Sequence, residues 1–408
     1  MHSTNFALLS VGSSISALGD ALFDIALAFT VYQLTHSTIL LSVVMIADVV
    51  PVVILGFFAG VIVDLSSKKH VMILMDAARG ACLMILGALF FFQFYSIPLV
   101  VLCCVLIAAC DTFYMPATDC AIPSMVGDRV MTRATSALIS VQEISKLIGQ
   151  SLGGFLLVSI GAPILFVLDG CSFFLSGLCA AFLHFTDLKS SHKTQSINFS
   201  FLIEQFKISH NYLLSNGAYK NLVCSTVVAV FFSSVSGAVV VPLFSRDYSP
   251  QIYGVAIGLL SLGTIVGSAL ITFIPIEKYK FRLFFVGMVF CNSGYFICAF
   301  HVNHLVLYTM FFISGAFCAV YNTIMETVLI LSVPISLRGK ISSSVFSAVK
   351  ALTPFGILLG GFLGQFVPLQ YIIILSLSLN VLSYLVFFFS PKNKVLFHTE
   401  QPFESGIS

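Results

Sequence analysis

Twelve stretches of the chain are long and apolar enough to cross a bilayer, and no other feature narrows its folding so far. They run at about residues 6–33, 39–63, 70–92, 97–118, 135–158, 163–185, 219–244, 252–275, 281–300, 304–331, 341–366 and 370–389. A spanning helix needs about 20 mostly apolar residues. Composition agrees: apolar residues make up 58% of the 408 and charged residues 9%, against about 25% charged in a soluble domain. A soluble enzyme, a secreted disulfide scaffold, a disordered chain and a nucleic-acid-binding domain are excluded. The N-terminus lacks a basic region, and its first apolar run is far longer than a signal-peptide core, so that run is read as an uncleaved span. The eleven cysteines lie along the apolar stretches with no metal-site spacing, and are read as small hydrophobes.

The one long break, Asp187 to Lys220, divides the spans six and six. This predicts an N-terminal bundle over 1–186, a linker over 187–218, a C-terminal bundle over 219–390 and a tail over 391–408. Within the linker, Phe199 to Leu214 has helical apolar spacing and is predicted to lie on the membrane surface. A shift of 207 residues superposes Gly56 on Gly263, Gly60 on Gly267, and Gly153-Gly154-Phe155 on Gly360-Gly361-Phe362. Such an offset fits parallel six-helix repeats, a known transporter architecture.

Basic residues set the expected orientation. They sit at Lys68 and Lys69, Arg129 and Arg133, in the linker, at Lys278, Lys280 and Arg282, at Arg338 and Lys340, and at Lys392 and Lys394. These are alternate connections plus the tail, and only Arg246 lies on the other side. Both termini are expected in the cytoplasm.

Between the second and third spans the chain reads Gly60-Val-Ile-Val-Asp64-Leu-Ser-Ser-Lys68-Lys69. This resembles the signature loop of the major facilitator superfamily, with Leu65 where Arg is usual and Ser67 where Gly is usual. The fifth span carries Gly149-Gln150-Ser-Leu-Gly153-Gly154, similar to that family's antiporter motif with Gln150 in place of proline. Ser16-Ala-Leu-Gly19-Asp20, Val31 to Ser37, Asp76-Ala-Ala-Arg79, Pro116 to Pro123, Leu168 to Phe173 and Val333 to Lys340 resemble bacterial drug and siderophore exporters, the macrolide-efflux and enterobactin-exporter group. The resemblance implies an all-α membrane protein, twelve transmembrane helices in two pseudo-symmetric six-helix bundles. It implies Asp64 as a gating residue, facing the eleventh helix when the cytoplasmic side is closed. Gly60 is expected to let helices approach closely, and Lys68 and Lys69 suit topological anchors as well as gating. Asp169 looks like a packing residue of the group.

Charges inside the spans are the functional candidates, because each costs at least ~2.5 kcal/mol to insert. The acids are Asp20, Asp24, Asp48, Asp76, Asp111, Glu143, Asp169 and Glu326; the bases are Arg79, Lys146 and Lys350. Asp76 with Arg79 and Glu143 with Lys146 are three apart on a helix face and can neutralise each other. Asp20 and Asp24 form a polar stripe with Ser13 and Ala17 on the first span. By the resemblance, the first, fourth, seventh and tenth helices line a central cavity. The fourth then offers Asp111 and Tyr114, and the tenth Ser314, Cys318, Asn322 and Glu326 in steps of four. Helix–helix hydrogen bonding explains each stripe as well, and Asp48 fits either role. Glu143 and Lys350 are equivalent under the 207-residue offset; they either communicate across the centre or Glu143 simply pairs with Lys146.

No enzyme constellation, metal cage or phosphate loop is present in the sequence, and no cofactor is expected. The reading is a secondary transporter of the bacterial inner membrane, exporting a small amphipathic organic compound in exchange for protons, with Asp20 supported by Asp24 as the proton site. The expected partners are that substrate, protons and lipid, with no nucleic acid, and the chain is expected to act as a monomer. An importer of a small nutrient, with or without proton coupling, and a non-transporting membrane receptor are the alternatives.

Overall fold

The computed structural model describes residues 2–126, 130–184, 217–274, 276–331 and 338–389. The first half contains α1 (His2–Thr35), α2 (Thr38–Leu65), α3 (Lys68–Phe91), α4 (Ile97–Met125), α5 (Met131–Ile160) and α6 (Ala162–Ala181). The second contains α7 (Gly217–Asp247), α8 (Pro250–Ile271), α9 (Ile276–Phe290), α10 (His304–Leu331), α11 (Arg338–Leu363) and α12 (Leu369–Phe389). The expected linker helix over 199–214 lies outside the described residues, as do Arg129, Val333 to Leu337, Lys392 and Lys394.

Among the described residues, ten helical stretches are long and apolar enough to span a membrane, the one at α9 only together with its continuation to Phe300. The two that fall short are the fifth of each half. α5 is 30 residues long, but Arg133, Glu143 and Lys146 break its hydropathy, and α11 keeps only Val349–Leu363 as an apolar stretch. The predicted ninth span departs from the expectation of one helix. α9 stops at Phe290 and resumes as Ser293–Ile297 and a turn of 3-10 helix at Cys298–Phe300. Side chains hold the freed backbone there: Ser314 Oγ donates to the Cys291 carbonyl at 2.5 Å. Asn380 Nδ2 donates to the Ala229 carbonyl at 2.7 Å, and its amide oxygen faces Asn292 Nδ2 at 3.5 Å. Ser314, read as part of the α10 stripe, is therefore a structural donor.

One compact unit comprises α1–α6 with the α7–α8 tip, Val241–Gly258; the rest of α7 and α8 clusters with α9–α12. In the first unit α1 packs on α5 and α6, α3 on α4 and α6, and α2 on α4. Lipid tails are as apolar as leucine, so these contacts rest on close packing of small residues more than on burial from water. A Cβ at Gly149 of α5 would stand 2.6 Å from the Leu18 carbonyl of α1, and one at Gly153 3.0 Å from Ile25. A Cβ at Gly154 would stand 2.8 Å from Gln251 Cα of α8, so the motif thins α5 on two sides.

The 207-residue offset has a physical counterpart in the second unit. There, a Cβ at Gly356 of α11 would stand 2.6 Å from the Phe231 carbonyl of α7, and one at Gly360 3.0 Å from Ala238. The same seam, first helix against fifth, is thus built twice. Gly60 does not behave as expected: among the described residues no atom lies within 4 Å of where its Cβ would stand. α2 meets α4 instead at Gly56, whose Cβ would touch Thr112 at 3.9 Å. Gly149→Ala is therefore expected to lower the unfolding midpoint in detergent by the equivalent of about 1–3 kcal/mol. Gly60→Ala should stay within about 0.5 kcal/mol of the parent; equal midpoints for the two variants would refute the seam.

Polar contacts tie one end of the first unit together. Asn5 Nδ2 donates to the His184 carbonyl at 2.5 Å, and the His184 N–H returns to Asn5 Oδ1 at 3.3 Å. Lys69 Nζ donates to the Leu183 carbonyl at 2.8 Å, and Lys68 Nζ to the carbonyls of Asp64 and Ser66 at 3.1 and 3.3 Å. A cation at these carbonyls opposes the negative end of the helix dipole, so both lysines cap helices. At the far end of α1 the Phe29 ring meets Tyr253 at 5.2 Å. Asn5 and Phe29 are separated by about 36 Å of helix. The N-terminus, the α2–α3 connection and the end of α6 thus share one end of this unit, and the α7–α8 connection lies at the other.

Candidate functional site

The polar centre of the first unit is built around one arginine. Arg79 of α3 is 4% exposed and Asp76, one turn earlier, is fully buried. The guanidinium bonds Asp76 Oδ1 at 2.5 Å and Asp111 Oδ1 of α4 at 2.9 Å. Its carbon lies 4.4 Å from the Tyr114 ring centre and 4.2 Å from that of Phe173 on α6. A cation set over two rings and bonded at once to two carboxylates suits the forked guanidinium of arginine better than the ammonium of lysine. The expected Asp76–Arg79 pair forms, but it is not self-contained, because Arg79 also joins α3 to α4.

Asp111 and Tyr114 were both expected at the cavity, and the structure separates them. The Asp111 side chain is 48% exposed, so one face is clamped by Arg79 and the other is open. Tyr114 is 6% exposed, with its hydroxyl 3.5 Å from Ser176 Oγ of α6. As placed here it packs against the guanidinium and does not line an open surface. The residue spacing held the clue: positions 111 and 114 share a helix face, so whatever cation holds one touches the other.

On α1, Asp20 is half-buried and Asp24, one turn on, is exposed. Arg79, Asp24, Asp111 and Lys146 surround Asp20 within electrostatic range, and Asp48 and Lys146 surround Asp24. Lys146 is engaged with Glu143 at 3.0 Å, both half-exposed on α5. This is the local pairing that the spacing of three allows. In the second unit Asn322 and Glu326 are exposed on α10, with Asn322 Nδ2 3.4 Å from Cys318 Sγ, and Lys350 is half-buried on α11. Asp64 is exposed at the end of α2, with Oδ1 3.9 Å from Cys120 Sγ of α4.

Asp169 is expected from the sequence to be a packing residue. It is fully buried on α6, where a Cβ on Gly19 of α1 would run into Asp169 and Ser172. Its signal was present in the sequence, an acid in the middle of an apolar span with no base three or four residues away.

Comparison with known proteins places the whole architecture. The family model described as transmembrane secretion effector matches residues 1–395. An uncharacterized MFS-type transporter of Bacillus subtilis is 21% identical over 370 residues, 88% of this chain and 86% of that protein. Macrolide efflux protein A of Streptococcus pyogenes is 19% identical over 386 residues, 92% of this chain and 93% of its own. The staphyloferrin A transporter of Staphylococcus aureus is 22% identical over 298 residues, 69% and 73% of the two chains. The inward-facing crystal structure of a bacterial homologue of the human lysosomal transporter Spinster covers 99% of both chains, at a TM-score of 0.73 and 12% identity. Twelve helices, a twice-built glycine seam and a family match along almost the whole length lead to one conclusion: the chain is a multi-pass membrane protein of the transmembrane secretion effector family, with the major facilitator fold.

Proposed function

We propose that the protein is a proton-coupled exporter of a small amphipathic organic compound, working by alternating access in the bacterial inner membrane. The observation that carries this reading is the charge imbalance of the first unit. Within spanning helices Asp20 and Asp111 are half-buried and Asp24 and Asp48 are exposed. The cations of those spans, Arg79 and Lys146, already hold Asp76, Asp111 and Glu143. A carboxylate open at mid-membrane depth belongs to a water-filled cavity and not to lipid. Such a surface favours a cationic or weakly basic substrate. The export direction is supported by the likeness to macrolide efflux protein A; the likeness to a staphyloferrin A transporter supports a siderophore-like metabolite as the second substrate class.

Asp20 is the proposed proton site and Asp24 its modulator. A proton and a cationic substrate compete for the same carboxylates, so each biases the same two-state equilibrium and the two fluxes are exchanged. Inverted vesicles with an imposed pH gradient test this: substrate should accumulate when the lumen is acid. Accumulation that ignores the gradient would leave a facilitator, and no movement of any candidate would leave a receptor.

Both termini are proposed to be cytoplasmic, following the basic residues and the shared end of Asn5, Lys69 and Leu183. Single cysteines at Ser191 and Lys394, in a cysteine-free background, should resist an impermeant reagent on intact cells, while one at Ser249 should label. Strong external labelling at position 191 would reverse the orientation.

A further inference from the structure

We propose that Asp169 is a second, occluded seat for the coupling proton, shared with Asp20 across the seam between α1 and α6. The inference rests on the Asp20 reading and deepens it. At Gly19 the two helices come so close that a Cβ would stand 2.5 Å from Ser172 Oγ. Only glycine leaves room there for the Asp169 carboxyl, which therefore sits against the α1 backbone next to Asp20. Asp169 is fully buried; its Oδ1 accepts from Ser172 Oγ at 3.1 Å, and its Oδ2 has no partner among the described residues.

The charges around Asp169 do not neutralise it. Asp20 and Asp24 of α1 and Arg79 of α3 lie within electrostatic range of it. Arg79 is already divided between Asp76 and Asp111. An ionised carboxylate here would keep one hydrogen bond and no counter-ion of its own, at a high desolvation cost. A proton on Oδ2 removes that cost. Packing alone does not call for an acid, since asparagine has the same shape and can accept equally well from Ser172.

Asp20 and Asp169 differ in a way that suits carriage. Asp20 is half-buried and open to exchange, whereas Asp169 is sealed. In the proposed cycle a proton taken up from outside displaces the cationic substrate from Asp20. The O–H bond on Asp20 then breaks and one forms on the Asp169 carboxylate, a transfer in which the pair holds one proton and one negative charge. On the cytoplasmic side the proton returns to Asp20 and leaves to water, and a substrate cation takes its place at the carboxylates, so one proton enters for each cation exported.

Infrared difference spectroscopy of the purified full-length protein in lipid nanodiscs, between acid and alkaline pH, reads this directly. Wild type should show two protonated-carboxyl bands in this region that Asp20→Asn and Asp169→Asn remove one at a time. In Asp169→Asn the substrate accumulation sustained by an imposed pH gradient should fall and its pH profile should depart from wild type, because Asp20 loses the seat to which it passes its proton. If Asp169 is only a packing group that keeps its proton, Asp169→Asn mimics it, and an unchanged band set and pH profile would overturn the proposal. Should that variant fail to fold, Ser172→Ala removes the single hydrogen bond to Oδ1 and should displace the Asp169 band; an undisturbed spectrum there is equally fatal. Transport in Asp20→Asn separately reports on the underlying Asp20 assignment, so the two failures are told apart.

Discussion

Asp20→Asn is expected to leave the protein folded and inserted but unable to drive substrate uphill. An asparagine keeps the shape of a protonated aspartic acid and cannot release a proton. For electroneutral exchange of one proton against one monovalent cation, a gradient of one pH unit sustains about a tenfold accumulation. In inverted vesicles the variant should instead equilibrate its substrate, to a ratio of about 1, with any residual movement indifferent to the gradient. Asp24→Asn should be milder, because Asp24 is exposed and its charge only modulates its neighbour. Fluorescence or radiolabel accumulation at several imposed gradients gives the slope. A wild-type slope in Asp20→Asn would shift the assignment to Asp111, whose carboxylate is 48% open.

The fold was legible in the sequence because its determinants are local and repeated. Segment length fixed the helices to within a few residues, as with 135–158 against Met131–Ile160. The glycine offset of 207 anticipated a seam that is present in both units. The break in α9 directly precedes Ser293-Gly294, a local turn signal hidden within a run that is apolar on both sides. Ser314 and Asn380 on other helices then hold the opened turn. The candidate site was half legible. An inventory of intramembrane charges found Asp20, Asp111 and Arg79, since a charge in an apolar span is conspicuous. Which carboxylates Arg79 would hold depends on how α3, α4 and α6 face one another, and periodicity within one helix cannot supply that. Gly60 was misjudged for a related reason: a small residue permits a close approach but does not choose the partner.

Arg79→Ala is expected to be the most damaging single change in the first unit, and its effect should fall on folding before transport. The side chain is 4% exposed and bridges two carboxylates from between two rings. Removing it leaves Asp76 buried without a counter-ion, a situation that costs about 3–5 kcal/mol, and it also uncouples α3 from α4. Folded protein recovered from the membrane should drop sharply. Arg79→Lys should recover only part of the loss, since an ammonium serves Asp76 and Asp111 together, between Tyr114 and Phe173, less well than the forked guanidinium does. The double change Arg79→Leu with Asp76→Leu removes the buried charges together, and an apolar replacement of a buried ion pair is often neutral. That protein should fold again, yet its Asp111 is no longer clamped. If Asp111 must be held in place to meet a cationic substrate, the double variant will transport with a weakened apparent affinity for substrate while its unfolding midpoint approaches wild type. Wild-type folding of Arg79→Ala would mean that the Asp76 carboxyl is content without a cation. The arginine would then be a functional group and not the pin of this bundle.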